Sequence, residues 1–305
     1  MRVVVASLLP YLAPAFPRSS APWALRTART TRFIAAGARP AVPGINRQHV
    51  FKVPARFDEA VAQAHQSAMA AMAAGNKLLE IEFPSLPPMD ASNPTTCSAS
   101  DVFSANVRHA TDTASWFTES KLSVAVVLPS SAWEEHAANV EGVAQVMVFP
   151  ESGARGVVGP APSADLYLVL ASKCDEVAHA ETLARREPDK TVVLFNANLD
   201  ALRGDLGLPG YPGKSFHDRF LSRILPAYFI RPRAFTSAID KPPFVVTYRG
   251  ALARAFPGKW ESLLDVGGGR CRSVGASDRR PVSAAANSAL AYEAMRICRS
   301  GLIYF

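Results

Sequence analysis

The chain has 305 residues, 49% apolar and 19% charged, the balance of a soluble globular protein long enough to bury one large core. Its formal charge of +7 is unevenly placed: nine of the 33 basic residues and none of the 26 acidic ones fall in residues 1–56, leaving 24 against 26 in the rest. That near-neutral remainder excludes a broad electrostatic grip on a phosphate backbone, so no nucleic-acid partner is expected. Cys97, Cys174, Cys271 and Cys298 are scattered, with no CxxC pair and no His at ligand spacing, which gives no metal site and no cofactor to expect.

Residues 1–50 read as a cleavable plastid-targeting leader outside the fold, because an acid-free stretch rich in Arg, Ser, Ala and Pro is the composition of an organelle transit peptide. A short apolar run behind Arg2 ends in Ala13, Pro14 and Ala15, a small-residue cleavage pattern with Phe16 just beyond. Two readings stand: the bipartite leader of an alga with a secondary plastid, or a simple plastid or mitochondrial leader. No later stretch approaches about 20 apolar residues, so no transmembrane segment is expected.

From residue 57 the pattern becomes that of a folded domain. Phe57, Val61, Ala64, Ala68 and Met72 fall at helical spacing over residues 57–74, and Gly75 offers the left-handed stop. Residues 79–83 (LEIEF) alternate apolar and acidic, a strand whose Glu80 and Glu82 are expected to face solvent. A Pro/Ser/Asn-rich loop over 84–94 leads to a second amphipathic helix through Phe103, Val107, Ala110, Ala114 and Phe117. Apolar runs at 124–128, 143–149, 166–171 and 192–195 follow, with a helix over 175–187 whose acidic start and Arg185–Arg186 end suit the macrodipole. Continuous apolar runs flanked by helices are what strands buried on both faces look like. The expectation is one α/β domain over residues 55–300, three layers with a mostly parallel, Rossmann-like sheet flanked by helices. Its last third should hold a helix at 215–225, strands at 228–230 and 244–248, a helix beginning at 257–264, a flexible turn at Gly267, Gly268 and Gly269, and an Ala-rich helix at 284–299.

No residue constellation names a reaction. Gly213, Lys214 and Ser215 copy the end of a phosphate-binding loop behind the 192–195 strand, but position 208, where the motif requires its first glycine, is Leu208. Pro209 and Pro212 also lack the N–H groups that would cradle phosphates. Asp200, Arg203 and Asp205 follow a buried strand, where ligands bind in open α/β sheets, with local ion pairing as the plainer reading. His217 and Arg219 carry charge into the next helix, and His217 beside Asp218 has no nucleophile motif to serve. Arg231, Arg233, Tyr248 and Arg249 end two strands; if those strands are neighbours, three guanidiniums and a phenol meet at one edge, a geometry for a carboxylate or phosphate. Trp260 reads as a packing anchor. Glu80 and Glu82, read as solvated, give little support for paired acid/base catalysis.

The strings EIEFPSLP, NLDALRGDLGLPGYPGK, FLSRILPAYFIRPR and YRGALARAFPGKW together resemble a plastid and cyanobacterial family carrying a domain of unknown function. Its members include the "low photosystem II accumulation" assembly proteins and the tail region of some plastid adenylate kinases. The resemblance covers about residues 55–275 and is weakest over 130–162. It implies an address in the plastid, stroma or thylakoid periphery, and photosystem II subunits or assembly factors as partners, but carries over no catalytic residue. Two functions are therefore expected to compete. One is a non-catalytic binding factor in photosystem II assembly, associated at most peripherally with the thylakoid. The other is a nucleotide- or phosphometabolite-handling enzyme with an anion site lined by Asp200, Lys214 and Arg231 at the sheet edge.

Overall fold

A computed structural model describes residues 51–86, 98–129, 142–150, 159–170, 174–203, 213–238, 245–267 and 270–281. The expected leader, residues 204–212 and the expected helix at 284–299 lie outside the described residues.

Helix α1 (Phe57–Ala73) buries Val61, Ala64 and Ala68 of the expected stripe together with Ala60 and Ala71, leaves Phe57 and Met72 half-buried, and is followed by Gly75 at φ +84°. Strand β1 is Leu78–Glu82. Helix α2 (Ala99–Glu119) opens on a capping box: the Ser98 hydroxyl accepts from the Asp101 amide at 3.1 Å, and the Asp101 carboxylate accepts from the Ser98 amide at 2.8 Å. Strands β2 (Val124–Leu128), β3 (Gln145–Val148), β4 (Leu166–Leu170) and β5 (Thr191–Phe195) come next, with α3 (Cys174–Arg186) between β4 and β5. The short α4 (Leu199–Leu202) and α5 (Lys214–Arg219), the latter running into a 3-10 turn at Leu221–Arg223, lead to β6 (Leu225–Ala238). Strands β7 (Val245–Ala255), β8 (Trp260–Asp265) and β9 (Cys271–Ser277) complete the described elements.

All nine strands form one sheet in the order β3-β2-β4-β5-β1-β6-β7-β8-β9. The five pairings from β3 to β6 are parallel, and β6 to β9 continue as an antiparallel meander. The mostly parallel sheet flanked by helices is therefore as expected, with an antiparallel extension added. Two corrections apply to that extension. Residues 260–265 are a strand and not the start of a helix: Gly258 donates to the Ala255 carbonyl at 2.7 Å, reversing the chain so that residues 261–264 pair back onto 250–253. Residues 271–277 form a largely exposed edge strand with little alternation to betray it.

Strand alternation sorts the core into two faces. Leu79, Ile81, Val126, Leu168, Val193 and Phe195 join the cluster formed with α1 and α2. Val127, Tyr167, Val169, Val192 and Leu194 join the cluster that includes Val177, Ala180 and Leu183 of α3 and Phe216 of α5. Glu80 and Glu82 belong by alternation to this second face, and they are not solvated: Glu80 is 1% and Glu82 8% exposed. A parallel sheet is covered on both faces, so the acidic half of the LEIEF alternation is buried with the rest.

Candidate functional site

The chain leaves β1 for β2 on the first face and toward the β3 edge, whereas it leaves the adjacent β5 for β6 on the second face and in the opposite direction. The two connections thus cross on opposite faces of the sheet, and the carboxyl ends of β5 and β1 lie on the edge of the sheet where open α/β folds bind ligands. The turn after β5 is shaped by two asparagines with left-handed backbone, Asn196 at φ +46° and Asn198 at φ +47°, a conformation that Asn accepts more readily than other side chains. Asn196 fixes the exit of β1 by accepting from the Phe83 amide at 2.9 Å, and it donates to Asn106 of α2 at 2.7 Å. Asn198 accepts from Arg231 at 2.8 Å. The same turn sets Asp200 above the carboxyl end of β1.

Three carboxylates and three guanidiniums meet there. Arg231 Nε donates to Glu82 Oε1 at 2.9 Å, its Nη2 contacts the same oxygen, and its Nη1 donates to Asp200 Oδ2 at 2.6 Å. Arg203 Nη1 reaches Glu80 Oε2 at 3.0 Å and lies 3.8 Å from Asp200 Oδ1. Arg280, from the segment after β9, pairs with Asp200 Oδ2. Formal charge within the cluster therefore cancels. Burial raises the Glu80 carboxyl above the ordinary range, with Arg203 pulling it back. Burial likewise pushes Glu82 up to about 7 against the pull of Arg231, and Glu82 Oε2 is buried without a hydrogen-bond partner. Desolvation lowers Arg280 while Asp200 and Glu80 raise it.

Beside the charges lies an aromatic floor on the antiparallel extension. Phe229 and Trp260 meet at 5.2 Å between centroids with planes inclined by 65° and pack with Leu252. The Arg280 guanidinium stands 4.5 Å from the Phe229 centroid and 4.9 Å from that of Trp260. Arg231 stands over Phe229 at 5.4 Å, and Arg254 over Trp260 at 5.5 Å.

The sequence pattern of the family described as "Domain of unknown function (DUF1995)" matches residues 54–287, which span β1 to β9 and the whole charged edge. The chain belongs to this family. No curated protein and no solved structure matches it.

Within this DUF1995 domain the residues singled out in the sequence divide. Asp200, Arg203 and Arg231 share the cluster, and Trp260 is buried in its floor. Lys214 and His217 line an open groove of about 340 Å³ together with Arg203, Asp218, Leu221 and Ser222. Arg219 turns away to Glu181 of α3, at 2.7 and 3.1 Å, and its hydrogen bonds hold that carboxyl below the ordinary range. β6 and β7 are neighbours, but in their register Arg231 faces Leu252 and Arg249 faces Ala234, so alternation puts Arg249 on the other face, where it is exposed. Arg233 and Tyr248 face Gly250 and Phe235 in that register, and their side chains lie outside the described ones. Asp205 lies outside the described residues too.

The cluster also contains residues that the sequence reading passed over. Glu80 and Glu82 were visible as alternating acids in a strand that the parallel arrangement buries, and NANLD after β5 was visible as a turn. Phe229 was hidden in an apolar run, and Arg280 sits in an irregular segment with no local signal. Among the described residues, no group of three or more His, Cys, Asp or Glu could hold a metal ion.

Proposed function

We propose that this chain is a plastid auxiliary protein that binds a photosystem II subunit or assembly intermediate without catalysing a reaction. The observation that carries the non-catalytic half is the self-neutralised edge. At the position where an α/β enzyme would present free groups to a substrate, Arg203, Arg231 and Arg280 are each held by a carboxylate of the same chain. An anion site requires cations without such partners, and general acid/base work requires a group that can reach a substrate. On α2, Val102 and Trp116 are 39% and 42% exposed, single apolar side chains and not one patch. The plastid address rests on the acid-free composition of residues 1–56, and the photosystem II partner on the resemblance carried by the four sequence strings. No helix among the described residues is long and apolar enough to cross a membrane, so the thylakoid contact in this reading is peripheral.

The test is co-migration. A tagged full chain expressed in plastids should run on native gels with photosystem II assembly intermediates, and its loss should lower photosystem II relative to photosystem I. A chain that migrates alone, with photosystem II unaffected by its loss, contradicts the proposal.

A further inference from the structure

Arg280 occupies its place differently from the other members of the cluster. Arg231 is built into β6, and Arg203 directly follows α4. Arg280 instead comes from residues 278–281, outside any helix or strand, and its neighbours Asp278 and Arg279 are exposed. The outer tie of this segment is an exposed pair, Asp278 with Lys259 at 3.2 Å, which contributes little. Among the described contacts, the Arg280 side chain is what holds the strap down. Its guanidinium rests against two aromatic rings, at 4.5 and 4.9 Å from their centroids, and pairs with the Asp200 carboxylate.

Two aromatic rings and a carboxylate around a planar cation make up a receptor for a guanidinium group. The charge balance agrees. With Arg280 withdrawn, Glu80, Glu82 and Asp200 pair among the described residues only with Arg203 and Arg231, so the formal count leaves one carboxylate over; Arg254 stands over Trp260 and Phe256. The side chain of Arg280 is 25% exposed, so the place it fills opens to solvent.

We propose that Phe229, Trp260 and Asp200 form an arginine-binding site, closed in cis by Arg280, which an arginine on a basic segment of a partner protein takes over by displacing the 278–281 strap. This inference does not depend on a role in photosystem II assembly.

The experiment uses the full chain and N-acetyl-L-arginine amide as the probe, with the lysine amide as control. In R280A the arginine probe should raise the melting temperature saturably at millimolar concentration, with the lysine probe about tenfold weaker because it cannot stack as a plane. Adding D200N should abolish the rise. R280K, which keeps a charge for Asp200 without the planar group, replaces R280A if the latter does not fold. Absence of an arginine-selective rise in the folded variant overturns the site. Takeover is read on the unaltered chain: hydrogen exchange at the amides of Asp278, Arg279 and Arg280 should speed up as the arginine probe is added. Unchanged exchange at saturating probe overturns the displaceable strap, whatever the variants show.

Discussion

Replacing Arg231 with Ala is expected to destabilise the chain by about 3–5 kcal/mol, the cost of breaking a buried ion pair by removing one partner. Among the described residues, Arg231 alone touches Glu82, Asp200 and Asn198 together. Its loss leaves the Glu82 carboxylate with no cation and Asp200 with Arg280 and a distant Arg203. The ring of Phe229 loses the more distant of its two cations and keeps Arg280. Denaturant unfolding at pH 8 should show the effect most fully, because Glu82 is ionised there in the wild type, whereas the variant, without Arg231 to pull the carboxyl down, must take up a proton or keep a stranded charge. Adding Glu82→Gln to the Arg231→Ala background should recover part of it by removing the stranded charge. A loss below about 1 kcal/mol would mean that the edge relaxes like an exposed surface pair.

The second large effect is on pH dependence. Burial holds the Glu82 carboxyl at about 7 in the folded chain, above its ordinary value of 4.5. A carboxyl raised on folding binds its proton more tightly in the folded state, so its contribution is fully present below about pH 4.5 and is lost as the pH rises through about 7. The unfolding free energy of the wild type, relative to Glu82→Gln, should fall by up to about 3 kcal/mol between pH 4.5 and pH 8. Glu80, raised in the same direction by burial, is present in both proteins and largely cancels in the difference. A difference that stays flat with pH, or grows in favour of the wild type, would show that Arg231 compensates Glu82 fully in spite of the unpartnered Oε2.

These two effects come from residues that the sequence presented in quite different ways. The parallel half of the sheet was legible because runs such as Val124–Leu128 and Leu166–Leu170 are apolar at every position, which two-sided burial demands. That same principle, applied to β1, would have buried Glu80 and Glu82; local alternation suggested a wet face because the coverage of a face is a property of the whole sheet. The meander was harder. In Trp260–Asp265 the polar Glu261 and Ser262 are buried beside apolar neighbours, so no period-2 pattern survives, and a Pro-Gly-Lys lead-in passes equally for a helix start. Asp200, Arg203 and Arg231 could be chosen as charges that follow apolar strands. Their assembly around Glu82 depends on β6 lying beside β1, which no local pattern specifies. Arg249 shows the reverse: like Arg231 it follows an apolar run, yet it pairs with Ala234, three residues from Arg231, and that odd offset places it on the opposite face.

Among the described residues, Arg203, Arg231 and Arg280 at the carboxyl edge of this sheet are each paired within the chain, and none of the three is left free for an anionic substrate. Thermal denaturation of the full chain with and without millimolar adenine nucleotides and phosphorylated sugars tests this pairing most directly, since a ligand bound only by the folded state must raise the melting temperature by mass action. The account predicts no shift beyond that of a sulfate control at equal ionic strength. A saturable rise with one of these ligands, absent in Arg231→Gln, would contradict it and favour an enzyme at the sheet edge.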